Sequence, residues 1–383
     1  MDLSQKWGDY TRVFSLMSAF SKLGHKVTIL IIRPEHKKPN VLSFKENSLD
    51  VIELHPSPML KIKGRRGIGK YINYLFCLPV ITKVVSKLIK ENHVDYVYSY
   101  MPGIGSSLPA MRIKSKHKIR HVLDFADLHV YVRPKMIVER SFKDADKILA
   151  ITDYLKEDLL RKGIDSNKIY IIPNGVDLEL FNPAKYEYNE IQRLRSSFNA
   201  DKIIVFSGAL HDLNIIINSA QKVIDNIKNV KYVIIGDHRD PARSKSVWEN
   251  RIKEKGFANN FTFLGRKSRE EIPPYLICAD VCVDSFPNEP YYAAAHPIKI
   301  LEYGACGKPV VATKVSETEK IIKHGFYGFL ANPNDPLEFA NHLITLLNSR
   351  QLSEKMGMAF SDYIRNNFSW NKIALDLQKA LLD

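Results

Sequence analysis

An alternation of β-branched runs with helix-periodic segments, begun twice, bounds the folds open to this chain. Val27-Thr28-Ile29-Leu30-Ile31-Ile32 is a continuous apolar run of the kind a strand needs when both of its faces are covered. Before it, Val13, Leu16, Met17, Phe20 and Leu23 recur at helical spacing, and Gly24 predicts the helix end through a left-handed cap. Helical material at 71–91 leads to the strand Tyr96–Tyr100, and further strands are predicted at His121–Asp124 and Lys147–Ile151. The pattern restarts with Lys202–Ser207 running into Gly208, a helix over Ile215–Ile227, and Tyr232–Ile235 ending in Gly236. Strands at Phe261–Leu264, Val281–Val283 and Pro309–Ala312 follow. Strands alternating with helices predict parallel βαβ units. Two such series in 383 residues predict two α/β domains, with a junction in the polar stretch Pro173–Pro183.

Open parallel sheets take their ligands beyond the carboxyl ends of the strands. That directs attention to the loops around Gly8, Asp124–His129, Gly208, Gly236 and 284–302. The richest stretch runs from His296 to Thr313. Pro297 is tolerated in a helix first turn, and a phosphate at that helix N-terminus would meet free N–H groups and the positive dipole end. Lys299 adds a full charge, and Glu302, one turn on, can accept hydrogen bonds from two neighbouring sugar hydroxyls. By spacing alone, Lys299 and Glu302 could equally form a solvated surface ion pair of little worth.

Taken with its neighbours, Pro297-x-Lys299-x-x-Glu302-Tyr303…Gly307-x-Pro309-Val310-Val311-Ala312-Thr313 resembles the donor-binding segment of family 4 (group 1) retaining glycosyltransferases. Matches to the same family follow in register. They are Ile172-Pro173-Asn174-Gly175-Val176-Asp177…Phe181, Asn260–Gly265 with Ala279-Asp280-Val281, Gly325-x-x-Gly328-Phe329-Leu330, and Phe368-Ser369-Trp370. The resemblance covers 8–383 and implies an α/β chain of GT-B architecture, two facing Rossmann-like domains with a C-terminal helix returning to the first. It implies an acceptor-binding domain over 1–176, a nucleotide-sugar donor domain over 177–365, and the returning helix over 366–383. Glu302 would then bind the nucleotide ribose, Lys299 the donor diphosphate, and the Gly208 turn would admit the phosphates, with Arg266, His296, Pro297 and Tyr303 lining the donor side. The nucleotide sugar is a substrate, so no cofactor is expected, and the resemblance to a GT-B site of this kind implies no metal.

Three departures from the family pattern stand out. The position eight before Glu302, often acidic, is Ala294, and Glu289 lies thirteen before it. Both basic residues that often follow the first strand of the donor domain are missing from Gly208-Ala209-Leu210-His211-Asp212-Leu213-Asn214, which leaves Lys299 and Arg266 to carry the diphosphate charge. Trp7-Gly8-Asp9 resembles the end of the acceptor-side glycine loop with only six residues ahead of it, so the first strand of the N-terminal domain is expected to be missing. In that domain Asp127 is the leading catalytic candidate and His129 the second, both on the loop after His121–Asp124. Asp144-Ala145-Asp146 precedes a strand instead of following one, which predicts the polar end of a helix and not a metal site.

Charge narrows the partners. Lys and Arg number 56 and Asp and Glu 42, and residues 1–180 hold 30 of the basic against 19 of the acidic side chains. Between Leu54 and Lys90 there is no acidic residue. Lys61, Lys63, Arg65, Arg66 and Lys70 lie just ahead of Tyr71-Ile72-Asn73-Tyr74-Leu75-Phe76 there. Basic residues beside aromatics suit an anionic membrane surface, which a lipid-linked acceptor would explain. A basic nucleic-acid binder is the rival reading, but no helix-turn-helix, zinc-finger or RNA-recognition signature accompanies the run, so no nucleic acid is expected as a partner. A relative that binds nucleotide sugar without turnover is the other alternative. No apolar run reads as long enough for a membrane span, and no h-region opens the chain. Cys77, Cys278, Cys282 and Cys306 are too scattered for a disulfide framework. The expectation is a cytoplasmic enzyme, peripheral at the inner face of the cell membrane, making lipid-linked or cell-surface glycans.

Overall fold

A computed structural model describes residues 8–32, 40–46, 49–55, 68–128, 134–238 and 240–383. The chain divides into two compact units, one of Met1–Pro173 with Ile373–Asp383, the other of Asn174–Lys372.

The first unit runs α1 (Gly8–Lys22), β1 (Thr28–Ile32), β2 (Asn40–Glu46), β3 (Leu49–His55), α2 (Ile68–Glu91), β4 (Tyr96–Tyr100), α3 (Ser107–His117), β5 (Arg120–Phe125), α4 (Lys135–Asp144), β6 (Lys147–Ala150), α5 (Asp153–Arg161) and β7 (Ile169–Ile171). Among the described residues it carries two separate sheets, a mixed one in the order β1-β3-β2 and a parallel one in the order β4-β5-β6-β7. The strands β1 and β4 each end a sheet. The β2–β3 hairpin escapes sequence reading because Ser43, Lys45 and Glu46 break its apolar pattern, and β2 is an exposed edge. Tyr96 Oη donates to the carbonyl of Leu381 at 2.5 Å, which ties the end of the chain into this unit.

Asp144 closes α4 and Asp146 precedes β6, as the sequence predicts. Asp146 accepts from Lys114 Nζ at 2.8 Å and from the His121 N–H at 2.7 Å, so the acidic string is a structural brace. Helix α2 corrects the reading that no segment is long and apolar enough to span a membrane. Ile72–Glu91 reaches that length with a mean hydropathy of 1.5, by composition alone, and a third of it is buried.

The second unit runs α6 (Tyr188–Ser197), β8 (Lys202–Ser207), α7 (Asn214–Asn226), β9 (Val230–Ile235), α8 (Lys245–Glu254), β10 (Phe261–Gly265), α9 (Ile272–Cys278), β11 (Val281–Asp284), α10 (Pro290–Ala293), α11 (Ile298–Ala305), β12 (Val310–Thr313), α12 (Ser316–Ile321), β13 (Gly328–Ala331), α13 (Pro336–Asn348) and α14 (Arg350–Asn367). The last helix, α15, covers Trp370–Leu382. Six parallel strands stand in the order β10-β9-β8-β11-β12-β13. Alternation along the strands feeds two cores. Ile204, Phe206, Tyr232 and Ile234 pack with α7 and α13 on one face, and Ile203, Val205, Val233 and Ile235 with α6, α9 and α11 on the other. Covering both faces is why β8 and β9 read as unbroken apolar runs. All strand ends therefore point their loops to one edge of the sheet, where the candidate site lies.

Candidate active site

The site in the second unit begins with two glycine turns. β8 and β9 end at Gly208 and Gly236, with φ of +146° and +134°, a backbone region that side chains rarely adopt. A Cβ on Gly236 would sit 1.8 Å from the Gly208 carbonyl oxygen, so the two turns pack backbone on backbone. Tyr303 braces them from beneath. Its side chain is fully enclosed, its hydroxyl accepts from the Ser207 N–H at 2.8 Å, and it lies 3.1 Å from the Ser207 carbonyl oxygen and 3.3 Å from that of Val283. Tyr303 thus shapes the floor of the site and leaves no hydroxyl for a ligand.

Helix α11 brings the charged groups to that floor. Pro297 occupies the cap position one residue before the helix, without a side-chain cap, so the first N–H groups of α11 have no side-chain acceptor at the cap. His296 is buried, its carbonyl accepts from Asn174 Nδ2 at 2.9 Å, and its ring stands 5.7 Å from that of Phe368. This fixes the entry into the helix. The Lys299 stem then reaches the Gly208 turn, where an added Cβ would lie 3.4 Å from its Cε. Lys299 Nζ lies 4.6 Å from the centre of the Phe206 ring and 4.4 Å from that of Phe286, and pairs with Asp284 at 2.7 Å. Asp284 is buried at the end of β11, with Oδ2 lacking any hydrogen-bond partner.

Glu302 is enclosed as well, and burial pushes its pKa up against the pull of Arg269 and Lys299. Its nearest counter-charge is Arg269, with Nη2 to Oε1 at 3.3 Å. Lys299 and Glu302 are therefore not a surface pair. Their side chains are 13% and 10% exposed, and each has its own partner. Arg266 follows β10 on the exposed side, and its charge acts on Asp237. Burial raises the Asp237 pKa, but the N–H groups of Lys245 and His238, with Arg266, hold it below the ordinary carboxylate value.

Sequence reasoning missed Asp284, Arg269 and the histidines after β8 and β9. The rings of His211 and His238 meet edge to face at 5.0 Å. None belongs to a motif, and only the strand order brings them together. Ala294 is buried and offers no acceptor, and Glu289 is exposed at the cap of α10.

In the first unit, Gly8 opens α1 and Asp127 is half-buried two residues beyond β5. His129, Lys61, Lys63, Arg65 and Arg66 lie outside the described residues, and Lys70 is placed in α2 by its backbone alone.

Residues 10–180 match the family model described as Glycosyltransferase Family 4, and residues 201–349 the one described as Glycosyl transferases group 1. The chain is 25% identical over 347 residues to an uncharacterized glycosyltransferase of Methanocaldococcus jannaschii, covering 88% of this chain and 87% of that one. A solved glycosyltransferase from Rickettsia africae ESF-5 is similar in fold, with a TM-score of 0.75 and 18% identity over 99% of this chain and 97% of that one. HepE of Anabaena, solved with UDP and glucose, has a TM-score of 0.72 and 17% identity over 100% and 98%. The chain belongs to the family 4, group 1 glycosyltransferases, and its fold is GT-B.

Proposed function

We propose that the protein transfers a sugar from a nucleotide-sugar donor to an acceptor hydroxyl with retention of configuration. The observation that carries this is the convergence of Lys299, the Gly208 turn and Glu302 at one strand-end floor. A nucleoside diphosphate leaving group develops negative charge, which needs fixed cations and N–H dipoles. Lys299 and the uncapped N–H groups of α11 supply both, so the reading assigns no metal and no cofactor. Glu302 accepts from the ribose hydroxyls, Gly208 lets the phosphates approach the backbone, and Arg266 adds charge at the rim. The UDP and glucose bound by HepE support a nucleotide-sugar donor for a chain of this fold. Asp127, with His129 second, is assigned to the acceptor end.

The acceptor is proposed to be lipid-linked or a cell-surface glycan, met at the cytoplasmic face of the membrane. Leu75 and Phe76 are exposed apolar side chains in the third turn of α2, and in the sequence they follow the basic segment Lys61–Lys70 by a few residues. Such a pairing of apolar anchors with cations suits an anionic interface. The test is release of nucleoside diphosphate from UDP-, GDP- and ADP-sugars in the presence of lipid extract. Lys299→Ala and Glu302→Ala serve as controls. Donor-dependent release lost in both variants supports the reading, and full activity in both removes it.

A further inference from the structure

We infer that Arg269 is a positioning residue for Glu302, holding its carboxylate charged and aimed for the hydroxyls of a bound nucleotide. The inference rests on the nucleotide reading of Glu302 given above.

Arg269 is presented from a rigid turn. Ser268 and Glu271 form a reciprocal capping box around it, with the Ser268 N–H donating to Glu271 Oε2 at 2.8 Å. Its side chain is 15% exposed, and its guanidinium carbon lies 5.4 Å from the centre of the Phe181 ring. Nε and Nη2, the side-on fork of the guanidinium, are buried and have no acceptor in well-aligned hydrogen-bond geometry. A buried donor without an acceptor is costly, and a residue kept for scaffolding would spend those donors on backbone carbonyls. What the fork has instead is Glu302 Oε1 at 3.3 Å. At that length the contact is mainly one of charge, which leaves the carboxylate with capacity to accept from a ligand.

The other charged and titratable groups acting on Glu302 are Asp177, which opposes its ionisation, and Lys299, which favours it more weakly than Arg269 does. Lys299 is already paired with Asp284, and the Cys306 thiol and Tyr303 hydroxyl nearby are both held protonated by burial. Arg269 is thus the main group offsetting the burial of Glu302. A protonated Glu302 turns one acceptor into a donor and loses the match to two vicinal hydroxyls.

The experiment is calorimetric titration of the full chain with UDP, GDP and ADP between about pH 5.5 and 8.5, for wild type, Arg269→Met, Arg269→Gln, Arg269→Lys and Glu302→Gln. Melting temperatures check that each variant is folded. For the diphosphate that binds best, Arg269→Met and Arg269→Gln are expected to bind several-fold more weakly than wild type at the acid end of that range, up to about tenfold for a one-unit rise in the Glu302 pKa, and to recover as the pH rises. Arg269→Lys should keep the wild-type profile, and Glu302→Gln should lose this pH dependence. Folded Met and Gln variants with wild-type affinity and profile, or with a loss equal at every pH, would overturn the inference and leave the nucleotide reading standing. A wild-type chain that binds none of the three diphosphates would overturn both.

Discussion

Arg12 donates from Nε and Nη2 to the two oxygens of Asp124, each at 2.8 Å, and both side chains are buried. Arg12 also donates to the carbonyls of Ile172 and Pro173 at 2.9 and 3.1 Å, and the Tyr98 hydroxyl donates to Asp124. This network joins α1, β4, β5 and the end of the first unit around one ion pair. Removing one partner of such a pair leaves a buried, uncompensated charge, at a cost of about 3–5 kcal/mol. Arg12→Met or Asp124→Asn should therefore loosen the first unit, read as faster amide exchange across β4–β6, with the second unit unchanged. The double variant should cost less than the sum of the two, because the partners share one interaction.

Asp284 competes with any incoming anion for Lys299. Asp284→Asn keeps the shape and removes the competing charge, so UDP should bind several-fold more tightly. Lys299→Met should weaken it. Titration calorimetry reads both, and the two variants moving in the same direction would count against the pairing as a functional contact.

His121 sets a pH dependence for the first unit. Its Nε2 lies 2.8 Å from Ser99 Oγ and its Nδ1 3.3 Å from Asp144 Oδ2. Burial holds the ring below its ordinary pKa of 6.5, outweighing the pull of Asp144. The folded state therefore keeps His121 neutral where the unfolded chain takes up a proton. The stability it contributes is present above pH 6.5 and is lost as the pH falls through and below that value. Denaturant midpoints for the first unit should drop between about pH 7.5 and 5.5, and His121→Gln should flatten that slope.

Leu75 and Phe76 give the membrane proposal its handle. Replacing both with Asp should reduce co-sedimentation with anionic vesicles several-fold and leave donor hydrolysis in solution intact. Indifference of the wild-type chain to lipid charge would remove the interfacial role.

Much of the second unit was legible in the chain because β8, β9, β11 and β12 are buried on both faces and read as unbroken apolar runs. Lys299 and Glu302 were legible because they lie on one helix, four positions including both ends, within a recognisable segment. Their partners were not. Asp284 ends β11, 15 positions before Lys299, and Arg269 comes from a turn 33 positions before Glu302, so only the fold brings each pair together. The β2–β3 hairpin was missed for a different reason, since an exposed edge strand lacks the two-sided burial that makes a strand conspicuous. Arg12 precedes the apolar periodicity of its helix, and nothing local marks it as the counter-ion of Asp124, 112 positions away.

Lys299 and Glu302 are proposed to hold a nucleoside diphosphate at the carboxyl ends of β8 and β11. The most direct test is the affinity of UDP, GDP and ADP for wild type, Lys299→Met and Glu302→Ala, measured at equilibrium with folding checked by melting temperature. The preferred diphosphate should bind the wild-type chain, and each variant should lose roughly tenfold to a hundredfold in affinity while remaining folded. Wild-type affinity in both folded variants would contradict the proposal.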